Sequence, residues 1–530
     1  MYTATNTGNK CKKAKFVTFS TYFEHEAPFR GVPIRLTVTR TKRGEIQKMN
    51  PKKDLPISHT VENQSQLTRK QLSSLLLIIS LASFATPMIS SGVNIALPDI
   101  SSDFSVSASN IGWVQTSFLL MSAVFLFPFG KMSDRTERGK IFLSGLLFQI
   151  IGFGVAGLSP SFQVLLIGMA LAGFGSAQVL SVAIPLLTTS FPHQERGKIL
   201  GINTAVTYTS LALGPFIGGI LVANFGWPSL FFVLLPITTL VLCLAIRIIP
   251  KMQKNTESQN AKPFDGAGSI LYISAASFVL IGISRISNGG YASIVLLIGI
   301  TLSVLFLWWE SKHPDPVFPI STFRENKIFR NSSLAALINY ASSFAVALLL
   351  SFYLQNVQNF SSITTGTILV TQPLIMAVLT PFAGRLSDRI DPRILATIGM
   401  AMTAASLFAF SFLTSTTPLW VIIAILLILG SGFALFSSPN MNSIMSSVPN
   451  SQAGIASATA GTMRVFGQVT SMAAVMVVFA TILGSVVISA EIAEALLEAL
   501  SMTFLALGIL CMFGIYFSYA RGTQPPKEHT

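Results

Sequence analysis

The sequence predicts an all-α polytopic membrane protein of 14 transmembrane helices, arranged as two six-helix bundles in pseudo-symmetric parallel repeat plus two intervening helices. Three observations predict it. Of 530 residues 51% are hydrophobic and 40 are phenylalanine, while only 11% are charged, a balance far from that of soluble domains. Fourteen apolar runs are each about the length that crosses ~30 Å of hydrocarbon as a helix. A short charged motif recurs 254 residues downstream in the same orientation. Helices rather than a barrel are required because the runs are continuous, without the ten-residue alternation of lipid-facing strands.

In order, the runs cover 72–97, 109–130, 140–158, 162–187, 199–223, 229–249, 267–286, 292–309, 333–355, 363–384, 393–413, 418–441, 455–483 and 498–519. Breaks between them carry charges, prolines or glycines. Polar linkers flank the seventh and eighth runs, "KMQKNTESQNAKPFDG" (251–266) and "KHPDPVFPISTFRENKIFR" (312–330), compositions that suit loops.

The net charge of +14 is not spread as a nucleic-acid surface would need, and no nucleic-acid partner is expected. Connections after even-numbered runs and the C-terminal tail hold the lysines and arginines, whereas those after odd-numbered runs hold one, Arg285. That asymmetry places both termini in the cytoplasm of a multi-pass plasma-membrane protein. Residues 1–71 form a basic tail with 14 Lys and Arg against five acids. It reads as a segment drawn to anionic lipid, or as an extension preceding a start at Met49, which opens "MNPKKDLPISHT". Cys11, Cys243 and Cys511 are too scattered for a disulfide framework or a metal site. No cofactor or metal is expected.

"GKMSDRTERGK" (130–140) and "GRLSDRIDPR" (384–393) share Gly, a basic residue, an apolar residue and Ser-Asp-Arg. Each follows an apolar run on the same side, which implies two parallel halves. The expected organisation is a basic tail (1–71), an N-terminal six-helix bundle (72–249), linkers with the two extra helices (250–332), a C-terminal six-helix bundle (333–520) and a tail (521–530). The motif residues Gly130, Asp134, Arg135, Arg138, Gly384, Asp388 and Arg389 are candidates for a gate. Glycine permits close helix approach, and a loop carboxylate can accept from a neighbouring helix N-terminus or pair with the arginines. Such a cluster, wet on one side, can break and reform as a latch; the alternative is that its cations only fix topology.

With "LGPFIGG" (213–219), "VNIALPDI" (93–100) and "GSGFALFSSPNMNSIMSSVP" (430–449) added to these loops, residues 72–520 resemble the major facilitator superfamily, and within it the 14-helix drug:proton antiporters. The resemblance implies a multidrug exporter working by alternating access, an outward-favouring role for the loop latch, and an exporter role for Gly214, Pro215, Gly218 and Gly219 in the fifth run. On their own chemistry these four residues form a kinked, tightly packing seam. The pattern departs from the family at Ser210, in place of a leading glycine, at Ile89, where an aspartate is frequent, and at Met169, where an arginine is frequent.

Proton antiport needs a titrating group in reach of both sides. No acid or histidine lies in the interior of any run, so H⁺ as coupling ion is put in doubt. Arg464 is the one ionised side chain well inside a run, and reads either as a functional cation or as a snorkelling one. The candidate substrate path comprises Asn94, Gln115, Gln178, Asn203, Asn339, Tyr340, Gln372, Asn440 and Arg464, whose buried amides need water, solute or helix-to-helix partners. Without acids, nothing in this lining favours cationic over neutral or anionic solutes. The partners expected are a small-molecule solute and the lipid bilayer. An uncoupled facilitator or importer is the alternative reading, and a non-transporting scaffold or sensor the second. No glycine-rich nucleotide loop or nucleophile-base set suggests an enzyme.

Overall fold

The computed structural model describes residues 69–522, apart from 134–135, 192–194, 253–264, 285–289, 313–319, 388, 450–452 and 485–491. The calls on the tail before residue 69, on Met49, Cys11, Arg285, Asp134, Arg135 and Asp388 lie outside these residues. Fourteen helices are long and apolar enough to cross a membrane. We number them α1 (Arg69–Asp103), α2 (Trp113–Ser133), α3 (Arg138–Gly157), α4 (Phe162–Ser190), α5 (Arg196–Phe225), α6 (Ser229–Met252), α7 (Gly266–Ser284) and α8 (Gly290–Lys312). The remainder are α9 (Lys327–Val357), α10 (Ser362–Leu386), α11 (Pro392–Phe410), α12 (Leu419–Ser446), α13 (Ala453–Ile482) and α14 (Ala493–Tyr519).

Every predicted run is a helix, with ends displaced by several residues. α1 continues through Pro98 to Asp103; proline is tolerated in membrane helices when neighbours satisfy the freed backbone groups. Start signals are local: Ser161, Asn326, Ser361 and Asp391 accept from backbone N–H groups at the heads of α4, α9, α10 and α11. Inside the helices, hydroxyls such as Thr238 and Thr403 bond the carbonyl four residues earlier, at 2.7 and 3.0 Å, so their polar groups are not left bare in an apolar medium.

The two halves repeat the same set of neighbours. α1 packs on α5 and α6, α2 on α4, and α3 on α4 and α6; α9 packs on α13 and α14, α10 on α12, and α11 on α12 and α14. Gly145 of α3 and Gly175 of α4 lie so close that a Cβ on either would meet the other's carbonyl at 2.8 and 2.4 Å; Gly399 of α11 and Gly432 of α12 do the same at 2.5 and 2.8 Å. Small residues at such crossings let backbones approach and gain dispersion contact. α7 and α8 pair with each other, and α7 touches α2 of one half and α13 of the other.

Call the end that bears the repeated motif loops the basic end, and the opposite one the far end. A large apolar cluster joins the halves, drawing on Ile95, Val114 and Phe118 of the first and Val346, Phe352 and Phe479 of the second, and a small one around Phe127, Tyr272 and Phe466 links α2 to α13 through α7. At the basic end the first half closes a core of its own around Leu75, Phe142, Val182 and Ile249, and Phe329, Ile444 and Ala456 form another in the second half. The halves are therefore joined at the far end and separately cored at the basic end.

Candidate solute path and gates

The far-end seam is built where α5 meets α1 and α10. A Cβ on Gly218 would stand 3.2 Å from the Gly92 Cα, and one on Gly214 would collide with the Ser91 hydroxyl and the Met88 carbonyl. Across the interface between halves, a Cβ on Gly219 would meet the Ser362 carbonyl oxygen at 2.4 Å, and one on Gly366 the Pro215 oxygen at 2.2 Å. Backbone thus lies against backbone from both halves, a contact only glycine permits. Ser210 keeps the packing in another way: its buried hydroxyl donates to the Phe84 carbonyl of α1.

Gln355 adds a polar clasp that the sequence reading missed. Its Nε2 donates across the seam to the Ile95 carbonyl at 3.2 Å and to Ser351 Oγ at 2.8 Å, while its Oε1 accepts from Ser362 Oγ at 3.1 Å. Gln355 stands in a π-helical turn, Tyr353–Val357, that ends α9; such turns recur at functional positions. The turn is anchored by Tyr353, whose hydroxyl donates to the Thr414 carbonyl at 2.6 Å, and by Gln358, which donates to that hydroxyl at 2.8 Å. The signal available was the amide-rich "QNVQN" closing an apolar run, a pattern that reads equally as a loop.

At the basic end the two motif copies share local geometry. Ser133 Oγ donates to the Gly130 carbonyl and Ser387 Oγ to the Gly384 carbonyl, both at 2.7 Å. Arg138 Nε donates to the Ser133 carbonyl at 3.3 Å, and Asn442 of α12 to Ser387 Oγ at 2.7 Å. The close approach expected at Gly130 is not present among the described residues, where a Cβ would meet nothing within 4 Å. At Gly384 a Cβ would meet the Ser438 hydroxyl at 2.9 Å. Arg389 is exposed, and Lys140 pairs with Glu137 at 3.3 Å on the open surface. Beside the second copy Arg521 is buried just beyond α14, bonding Ser518; burial, against the pull of Asp391, lowers its guanidinium to about 10.

The candidate path residues divide between the halves. Gln115 of α2 is buried and donates to Ser90 of α1, one turn from Asn94, and the Gln115 Oε1 and Asn94 Oδ1 have no hydrogen-bond partner among the described residues. Gln178 of α4 accepts from Ser144 of α3 and so serves a contact inside its own half. Asn203 of α5 is half-buried with its Oδ1 unsatisfied. In the second half, Asn440 donates to the Ser332 carbonyl at 3.1 Å, and Asn339, fully buried on α9, bonds through neither side-chain atom. Tyr340 stacks edge-on to Phe433 at 5.3 Å. Gln372 is half-buried, its carbonyl facing Gly430 of α12, and Arg464 is half-buried on α13 with no ion pair among the described residues. A buried triad also escaped the sequence reading: Gln149 of α3 donates to Thr86 and Ser176 at 3.3 and 2.9 Å. Ile89 and Met169 are buried apolar residues, so neither position supplies an ionisable group. Asp265 and Glu310 are buried at the ends of α7 and α8, away from mid-membrane.

Two parallel six-helix repeats meeting at a seam define the architecture of a secondary transporter of the membrane. The model of the Major Facilitator Superfamily matches residues 79–472, and the chain belongs to that family, whose members here are transporters rather than enzymes. It is 31% identical over 398 residues to the riboflavin transporter RibZ of Clostridioides difficile, covering 74% of this chain and 85% of that one. To the tetracenomycin C resistance and export protein of Streptomyces glaucescens it is 30% identical, over 72% and 71% of the two chains. To the multidrug resistance protein Stp of Mycobacterium tuberculosis it is 29% identical, over 71% and 70%. The POT family transporter PepTSo shares the fold at TM-score 0.61 with 14% identity, covering 85% of this chain and 98% of that one.

Proposed function

We propose that this transporter exports small hydrophobic or amphipathic solutes by alternating access, with its basic end in the cytoplasm. The observation that carries the reading is the seam of α5 against α1 and α10: glycine backbones of the two halves touch at the far end while the basic end keeps separate cores. This is the arrangement of a conformer open toward the cytoplasm. Rocking about the seam would part Gly219 from Ser362, release Gln355 from Ile95 and bring the motif loops together. Asp134, Arg135 and Arg138 with Asp388 and Arg389 then latch the basic end, and Gly130 finds the close neighbour it lacks in the inward conformer. Relatives named for drug and antibiotic resistance support the direction.

The solute class follows from the lining. Asn94, Asn203, Asn339 and Asn440 offer amide atoms that no group among the described residues satisfies, and the described spans hold no acid in their interior. Such a lining suits planar or amphipathic solutes that accept and donate hydrogen bonds. The same observation favours a second reading, an uncoupled facilitator or importer of a neutral hydrogen-bonding solute, which the resemblance to a riboflavin transporter supports.

The test is flux in proteoliposomes with an imposed pH gradient, using lipophilic dyes and riboflavin as separate solutes. Efflux of dyes that follows the gradient is expected for an antiporter; riboflavin movement indifferent to it selects the second reading. No movement of any solute would sink both. An Asp134→Asn variant that transports normally would remove the latch.

A further inference from the structure

A cavity opens at the far end, where α1 runs out and α4 begins, with a volume of about 820 Å³. That size lies in the roughly 300–1,000 Å³ range of small-molecule sites. Its wall includes Asp103, Phe104, Asn110, Trp113, Phe162 and Gln163, and Asp103 is the one lining residue that carries a charge. The apolar wall is a built aromatic cluster: Phe104 lies 6.4 Å from Phe162 and 5.6 Å from Trp227, centroid to centroid. Asp103 is held in place through one oxygen, since Oδ2 accepts from Trp227 Nε1 at 2.8 Å. Ser105, in the turn that follows α1, takes the left-handed backbone conformation at φ 51°, a strained geometry that tends to persist where surrounding structure fixes it.

A positioned carboxylate beside aromatic faces attracts a cation by charge and by the ring quadrupole, while the aromatic surface receives an apolar body. We infer that this vestibule binds a monovalent amphipathic organic cation. The inference is separate from the central path, whose amides give no such preference. Within the proposed cycle the site stands outside the seam, so it would hold a cation after release or before re-entry. A choline headgroup shares the chemistry.

The probe is tetraphenylphosphonium and the reporter is Gln163→Cys, an exposed rim position. Alkylation of this thiol by a membrane-impermeant maleimide, followed on its own peptide by mass spectrometry, is expected to slow as tetraphenylphosphonium is added. Asp103→Asn should raise the half-protecting concentration about fivefold to tenfold, and Trp113→Leu about twofold to fivefold. Because Asp103→Asn also weakens the Trp227 contact, neutral triphenylphosphine oxide on the unmutated vestibule gives a second measure and should protect at least about tenfold more weakly. Weaker protection in phosphatidylcholine nanodiscs than in phosphatidylglycerol ones would assign the site to the headgroup, and equal protection to the free cation. No protection, or equal protection by the neutral compound and in both variants, overturns the inference. The assay needs no flux, so it stands or falls apart from the transport reading.

Discussion

Gly219→Ala isolates the seam. A Cβ at this position would sit 2.4 Å from the Ser362 carbonyl oxygen, 3.1 Å from its carbon and 3.2 Å from the Ile363 Cα. All three are backbone atoms, so no side chain can rotate away, and α10 must retreat by about 1 Å to restore contact. Overpacking of this kind costs about 1–3 kcal/mol. The cost falls on the far-end-closed conformer alone, because rocking separates the two backbones. At 1.4 kcal/mol per factor of ten, the equilibrium should move about 5-fold to 150-fold toward the far-end-open state. Gly366→Ala, facing the Pro215 oxygen at 2.2 Å, should act alike, whereas Gly218→Ala, whose nearest atoms belong to Gly92 of the same half, should leave this equilibrium in place. Spin labels at Asn224→Cys of α5 and Ser361→Cys before α10, both exposed, report the gap by pulsed electron resonance in a background lacking Cys11, Cys243 and Cys511. The long-distance population should grow in Gly219→Ala and Gly366→Ala and stay put in Gly218→Ala. Identical distributions in all three would refute the steric argument.

Three further outcomes follow from the same geometry. Gln355→Met keeps the bulk but removes the bond to Ile95 and those to Ser351 and Ser362, so the same label pair should register a loss of the closed state of about 1–3 kcal/mol. Asn339→Leu replaces a fully buried amide that bonds through neither atom; if the amide serves solute, thermal unfolding in detergent should rise by a few degrees while flux falls, since an unsatisfied buried group costs about 1–3 kcal/mol. Gly130→Ala has open space around the new methyl and should leave the melting temperature unchanged or slightly raised, helix interiors preferring alanine by about 0.5–1 kcal/mol. Slowed flux with an intact melting temperature would place the need for glycine in the opposite conformer.

Much of this architecture was legible because a bilayer imposes a length and a composition on each crossing. The apolar runs marked all fourteen helices, and the Ser-Asp-Arg repeat marked the two halves, whose equivalence recurs in the Gly145–Gly175 and Gly399–Gly432 crossings. Helix ends were less legible: α1 passes through Pro98 because neighbouring packing outweighs the local cost of proline. The seam glycines were visible as a motif, yet their contact with Ser362 depends on a helix some 140 residues away in the chain. Gln355 and the Gln149 triad escaped because period and composition do not say which face of an amide-bearing helix meets which neighbour. Tyr272 gave no signal at all, though it wedges α7 between the halves, its hydroxyl donating to the Ala123 carbonyl at 3.1 Å and its ring meeting Phe127 and Phe466. Gly130 was read for a close helix approach that is not seen among the described residues.

The central claim is that the halves exchange which end is joined. Labels at Thr136→Cys and Ile390→Cys, exposed on the two motif loops and outside the latch residues, measured alongside the Asn224–Ser361 pair in nanodiscs with and without a transported solute, test it directly. Alternating access requires the basic-end distance to shorten in the same sample in which the far-end distance lengthens. Distances that stay fixed at both ends, or that change in the same direction, would contradict it.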